Sequence, residues 1–177
     1  MVDGQKAVLL YRVLGLLDPL PQLVQGQVVG HGHGRRIQQE RVLDPNLLYA
    51  LLHVESRFDP LARSPTGALG LGQFLRSTWA DVARMLGEPP ADPFDPEASI
   101  RYAARYLRWL MERCAAYGGL EQIACAITAY NGGIGYTLRG IAREGGLYAF
   151  LRFQERDEPR EYLAKVLSAY AAYRVIP

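Results

Sequence analysis

Apolar residues recur along this chain mostly at steps of three and four, the period of helices that lay one face on a core. The longest stripe is Ile100, Ala103, Ala104, Leu107, Leu110 and Met111. Asp95-Pro96 precedes it with a capping side chain and a proline suited to the first helical position, and the helix is expected to run to Gly118. Asp44-Pro45 repeats that start ahead of the apolar run Leu47 to Val54. Ser77-Thr78-Trp79 opens a further helix, which Gly87 and Pro89-Pro90 close. Leu120 to Tyr130 is nearly all apolar, which suits a central buried helix with Tyr130 and Asn131 emerging at its end. Ile134 to Arg143 and Pro159 to Tyr173 supply two more helices. No useful length alternates apolar with polar, so β structure is limited to a short hairpin within Ala62 to Phe74. The fold class is mainly α: helices around one buried helix, with a groove across the face.

The first forty residues read differently. Ala7 to Leu17 is apolar and follows Lys6, as a signal segment would, but Arg12 interrupts it, Asp3 precedes it and no Ala-x-Ala follows. A helix is the better reading. Pro19, Pro21 and Gly26, Gly30, Gly32 and Gly34 then mark a linker. The expected division is an N-terminal helix and linker over residues 1–40 and one domain over 41–177. No stretch of about 18 apolar residues occurs, so no membrane span is expected.

Composition narrows the partners. With 177 residues, 49% of them hydrophobic, the chain can bury one good core. A net charge of +2, with no basic block longer than Arg35-Arg36, gives no reason to expect nucleic acid as a partner. Cys114 and Cys125 each fall in a predicted helix of a domain too large to need staples, so buried free thiols are expected. His31, His33 and His53 lack the i, i+4 helical pairing of metalloprotease sites, so no metal is expected.

Glu55 carries the chemistry. It ends the apolar run, and Leu48, Leu51 and Leu52 share its helical face, which strips water from the carboxyl group. The negative end of the helix dipole acts in the same direction. Both raise the pKa above the ordinary glutamate value, as a general acid near neutral pH requires. The alternative is an ordinary solvated residue at a fraying helix end. Its surroundings favour the chemical reading: Ser64-Pro65-Thr66-Gly67-Ala68-Leu69-Gly70-Leu71-Gly72-Gln73-Phe74 lets backbone approach a ligand and matches no phosphate loop.

Glu55-Ser56, Ser64-Pro65-Thr66-Gly67-Ala68, Gly70-Leu71-Gly72-Gln73 and Ala129-Tyr130-Asn131 resemble, in order and spacing, the motifs of the soluble lytic transglycosylases (SLT-type), which cleave peptidoglycan. The likeness covers roughly Asp44 to Tyr173 and extends to a closing Glu-Thr-x-x-Tyr-Val helix, with Pro159 where Thr is usual. The resemblance implies a lysozyme-like helical domain, glycan strands as substrate, no cofactor and a monomer. It implies Glu55 as the single acid and base, which frees a 1,6-anhydro end from N-acetylmuramic acid with help from the substrate's acetamido group. It also implies that Ser64 and Gln73 contact that acetamido region, that Tyr130 orients the acid, that Asn131 holds its turn and that Glu158 lines a subsite. Gly72 replaces the family's usual Met, and the missing side chain is expected to widen the sugar-binding floor.

Asp59 is the nearest second carboxylate, and between Phe58 and Pro60 its expected task is capping the next turn. Two other readings stay open: a goose-type-like lysozyme in which water attacks, and a non-catalytic wall-binding or virion module. Action outside the cytoplasm on the wall is expected, and the lack of an export signal tilts the reading toward a phage lysis or virion enzyme.

Overall fold

The computed structural model describes residues 43–153 and 158–174. The predicted N-terminal helix and linker lie outside them. Within the described residues the helices are α1 (Pro45–Ser56), α2 (Arg76–Leu86), α3 (Pro96–Arg113), α4 (Gly119–Gly132), α5 (Ile134–Glu144), α6 (Leu147–Phe153) and α7 (Glu158–Tyr173). No strand forms among them. The hairpin region is reduced to isolated bridges pairing Arg63 with Leu69 and Leu69 with Phe74.

Both Asp-Pro starts work as the sequence predicts. Asp44 accepts the Asn46 N–H at 2.9 Å and Asp95 accepts the Ala98 N–H at 2.7 Å. Gly87 closes α2 in the left-handed region at φ 72°, where a Cβ would be strained. One boundary differs: α3 stops at Arg113 rather than running to Gly118, and Cys114 caps it.

That cap brings a correction. Cys114 and Cys125 are joined in a disulfide, not free. The turn after α3 folds α4 back along it, which sets the two Cα atoms 6.0 Å apart, within bonding range. Spacing in the sequence carried no sign of this, because neither helix alone says how the pair will dock.

α4 is the buried centre: Ala124 to Ala129 are all buried, and α3, α5 and α7 pack around it. α1 buries Leu47 to Leu52 and lies along α7. Tyrosines fasten those two helices. The Tyr170 hydroxyl donates to the Asp44 carboxylate at 2.6 Å, and Tyr173 meets His53 Nδ1 at 2.8 Å. His53 is thus engaged with α7, while His31 and His33 lie outside the described residues.

Candidate active site

Glu55 occupies the last turn of α1, and the chain turns sharply just beyond it. Arg57 and Phe58 both take left-handed backbone, at φ 54° and 64°. Two consecutive non-glycine residues there cost backbone energy, a pattern that clusters at functional sites. The residue retains some surface, yet its carboxyl group is enclosed by protein atoms. Loss of water is the dominant effect on it and raises its pKa to about 7; a hydrogen bond from the Tyr162 hydroxyl to Oε1 opposes that rise.

The tyrosine that touches the acid is therefore Tyr162 of α7, not Tyr130. Tyr130, at the end of α4, donates instead to the carbonyl of Gly72 at 2.9 Å. Both phenols are held well above their ordinary pKa, chiefly by burial and then by the charge of Glu55, so both stay protonated donors. The sequence did carry a trace of Tyr162: it is the tyrosine of the closing Glu-Thr-x-x-Tyr-Val pattern. Pro159 leaves that helix intact, because proline in the first turn removes no intrahelical bond.

The glycine-rich loop forms the second part of the site and is braced from three sides. The Gln73 amide donates to the carbonyls of Gly70 at 2.8 Å and Ala62 at 3.3 Å. Gln73 itself sits at φ 49°, a left-handed position its side chain helps to hold. Buried Ser99 of α3 accepts the Gly72 N–H at 3.3 Å, and Tyr130 takes the Gly72 carbonyl. Gly70 could carry no side chain, since a Cβ would lie 2.0 Å from the Pro93 carbonyl oxygen.

Gly72 requires a second correction. The floor is not widened by the missing side chain: a Cβ there would lie 2.6 Å from the Phe74 ring and 3.0 Å from the Tyr130 hydroxyl oxygen. Phe74 is 3% exposed and packs against Trp79, Tyr106 and Tyr130, so its ring takes the space that a longer side chain at 72 would need.

The other expected site residues divide as follows. Ser64 caps its own turn, accepting the Ala68 N–H at 2.9 Å, and lies 2.9 Å from the Thr66 hydroxyl. Asp59 is exposed and accepts the Leu61 N–H at 2.9 Å, the capping task expected of it. Asn131 is exposed in the last turn of α4, and Glu158 is exposed at the start of α7. Ser99 was not anticipated; a lone serine in an apolar stripe gives no sign that it faces a loop.

The profile of the transglycosylase SLT domain matches residues 35–150. The membrane-bound lytic murein transglycosylase C of Sodalis glossinidius is 33% identical over 166 residues, which is 81% of this chain and 46% of that protein. Its namesake in Salmonella typhimurium is 32% identical with the same coverage. The chain thus spans about half the length of these curated relatives. An inactive mutant of the lytic transglycosylase Slt of Pseudomonas aeruginosa superposes with a TM-score of 0.64 at 28% identity, over 74% of this chain and 21% of that one. The 70 kDa soluble lytic transglycosylase of Escherichia coli does so with 0.64 at 26% identity, over 75% and 22%.

Proposed function

The chain belongs to the transglycosylase SLT family, and from that premise we propose that it is a peptidoglycan lytic transglycosylase with Glu55 as its single acid and base. The observation that carries this reading is the Glu55 carboxyl group itself, pushed to about 7 by burial and held by Tyr162. Asp59, the nearest other carboxylate, is turned to its own loop and exposed.

Protonated Glu55 gives its proton to the glycosidic oxygen between N-acetylmuramic acid and N-acetylglucosamine as the C1–O bond breaks. The sugar's acetamido oxygen stabilises C1. Glu55, now a carboxylate, takes the proton of the same sugar's 6-hydroxyl, and that oxygen closes on C1 to give the 1,6-anhydro product. No water is consumed, and the acid is restored. A group that donates and then accepts a proton works best with its pKa near the operating pH, which the burial of Glu55 supplies. The Tyr162 bond favours the carboxylate and keeps the pKa from rising further.

Gln73 and Tyr130 serve the substrate through the loop: each spends its hydrogen bond on backbone, so the loop meets the sugar as a preset surface. Ser64 fixes the loop's first turn. Residues 41–177 form the catalytic domain and 1–40 its extension. Action outside the cytoplasm is supported by the relatives' substrate, murein, and by the disulfide, a bond that persists in oxidising compartments. Among the described residues no helix is long and apolar enough to cross a membrane.

Digesting purified peptidoglycan and weighing the fragments tests this. Anhydro ends, each lighter by one water than a reducing end, are expected. Reducing ends would make the chain a lysozyme-like hydrolase, and no release would make it a binding module.

A further inference from the structure

Among the described residues, large apolar side chains are exposed mostly one at a time, as Leu61, Leu75 and Leu120 are, which is ordinary for a soluble surface. The α5–α6 pair is different. Tyr136 is 48% exposed, Tyr148 69% and Phe153 65%. On α5, Tyr136, Arg139 and Arg143 follow each other at three- and four-residue steps, all exposed, facing away from buried Thr137 and Ile141, while Gly140 lies one turn from Tyr136 on the side that meets α6. On α6, Tyr148, Arg152 and Phe153 face outward, opposite buried Leu147, Phe150 and Leu151.

The two helices are locked together, so the outward faces move as one. A Cβ at Gly140 would lie 2.1 Å from the Phe150 ring, and the Tyr136 ring meets Phe150 edge-on at 5.7 Å. Arg152 lies over the Phe153 ring at 5.8 Å. Residues 134–153 carry three arginines against one acid, Glu144, which is half-buried and paired with Arg143 at 2.7 Å. Exposed aromatics interleaved with arginines are suited to the headgroup level of a bilayer, where rings reach the acyl boundary and guanidinium groups meet phosphate.

We propose that the α5–α6 face, through Tyr136, Tyr148, Phe153, Arg139 and Arg152, docks the domain peripherally on an anionic phospholipid surface. Charge selects this occupant, since a neutral apolar partner gives the arginines nothing to bind. Nothing in this depends on the reaction proposed for Glu55.

The test is cosedimentation of the full 177-residue chain with vesicles of phosphatidylglycerol and phosphatidylethanolamine, or of phosphatidylcholine alone. Binding is expected to the anionic vesicles and to weaken with added salt. Arg139→Glu/Arg152→Glu and, separately, Tyr148→Ser/Phe153→Ser should each lower it roughly tenfold or more. Both variants should melt and cleave soluble glycan strands as the parent does, and Tyr148→Ser alone replaces the second if that one unfolds. Absence of parent binding overturns the proposal, as does equal binding to phosphatidylcholine or equal binding by the variants. It is overturned equally if the substitutions instead weaken binding to isolated cell-wall sacculi, which would make the rings sugar platforms, or abolish self-association, which would make the face a dimer contact.

Discussion

The α1–α7 contact and the glycine-rich loop meet at the same site but are built in opposite ways. On the first, the proposed chemistry rests on side chains: a carboxyl group without water and a phenol that donates to it. In the second, side chains serve the backbone: the Gln73 amide nitrogen and the Ser99 and Tyr130 hydroxyls hold carbonyls and an N–H of the loop. A change in the first should therefore alter rate and pH dependence. One in the second should alter stability and the fit of the substrate.

The largest expected effect lies on the carboxyl side. Glu55→Gln should lower release of anhydro fragments by roughly 10²–10⁴-fold while leaving the circular dichroism spectrum unchanged. Near-parental turnover would mean that the acid lies elsewhere.

The same substitution should change stability with pH. The folded pKa of Glu55, about 7, lies above its ordinary 4.5, so the folded state holds this proton more tightly. The stabilisation from that proton is complete below about pH 4.5 and is lost as pH rises through about 7, on the order of 3 kcal/mol in all. Urea melts of the parent across that window should weaken relative to Glu55→Gln, which has no proton there to lose. Parallel curves would place the carboxyl group in water.

On the loop side, Gly72→Met should destabilise by about 1–3 kcal/mol, because the new side chain must displace the Phe74 ring. Adding Phe74→Leu should recover much of that loss, and thermal melts of the two singles and the double give the coupling. Additive effects would show that the two positions do not share one space.

The smallest effect separates the two tyrosines. Tyr162→Phe removes a bond that favours the carboxylate, so the Glu55 limb of the pH–rate profile should move upward, with a rate loss of about tenfold. Tyr130→Phe should weaken the loop and leave that limb in place. If Tyr130→Phe moved the limb and Tyr162→Phe did not, their assignments would be reversed.

Much of this was legible in order along the chain. The Asp-Pro helix starts, the buried α4, the near-absence of β structure and the dry setting of Glu55 all follow from three- and four-residue spacing and local capping. Those depend on neighbours within a turn or two, which a linear pattern records. The remainder was set by docking. Tyr162 lies 107 residues from Glu55, and Tyr130 lies 58 residues from Gly72. The Cys114–Cys125 bond and the Phe74 ring beside Gly72 likewise exist only once helices and loop have settled against one another. Periodicity says which face of a helix is buried; it does not say what it is buried against. For this protein the sequence by itself determined the helices and the dry setting of Glu55, and tertiary packing decided which phenol holds its carboxyl group and what fills the space beside Gly72.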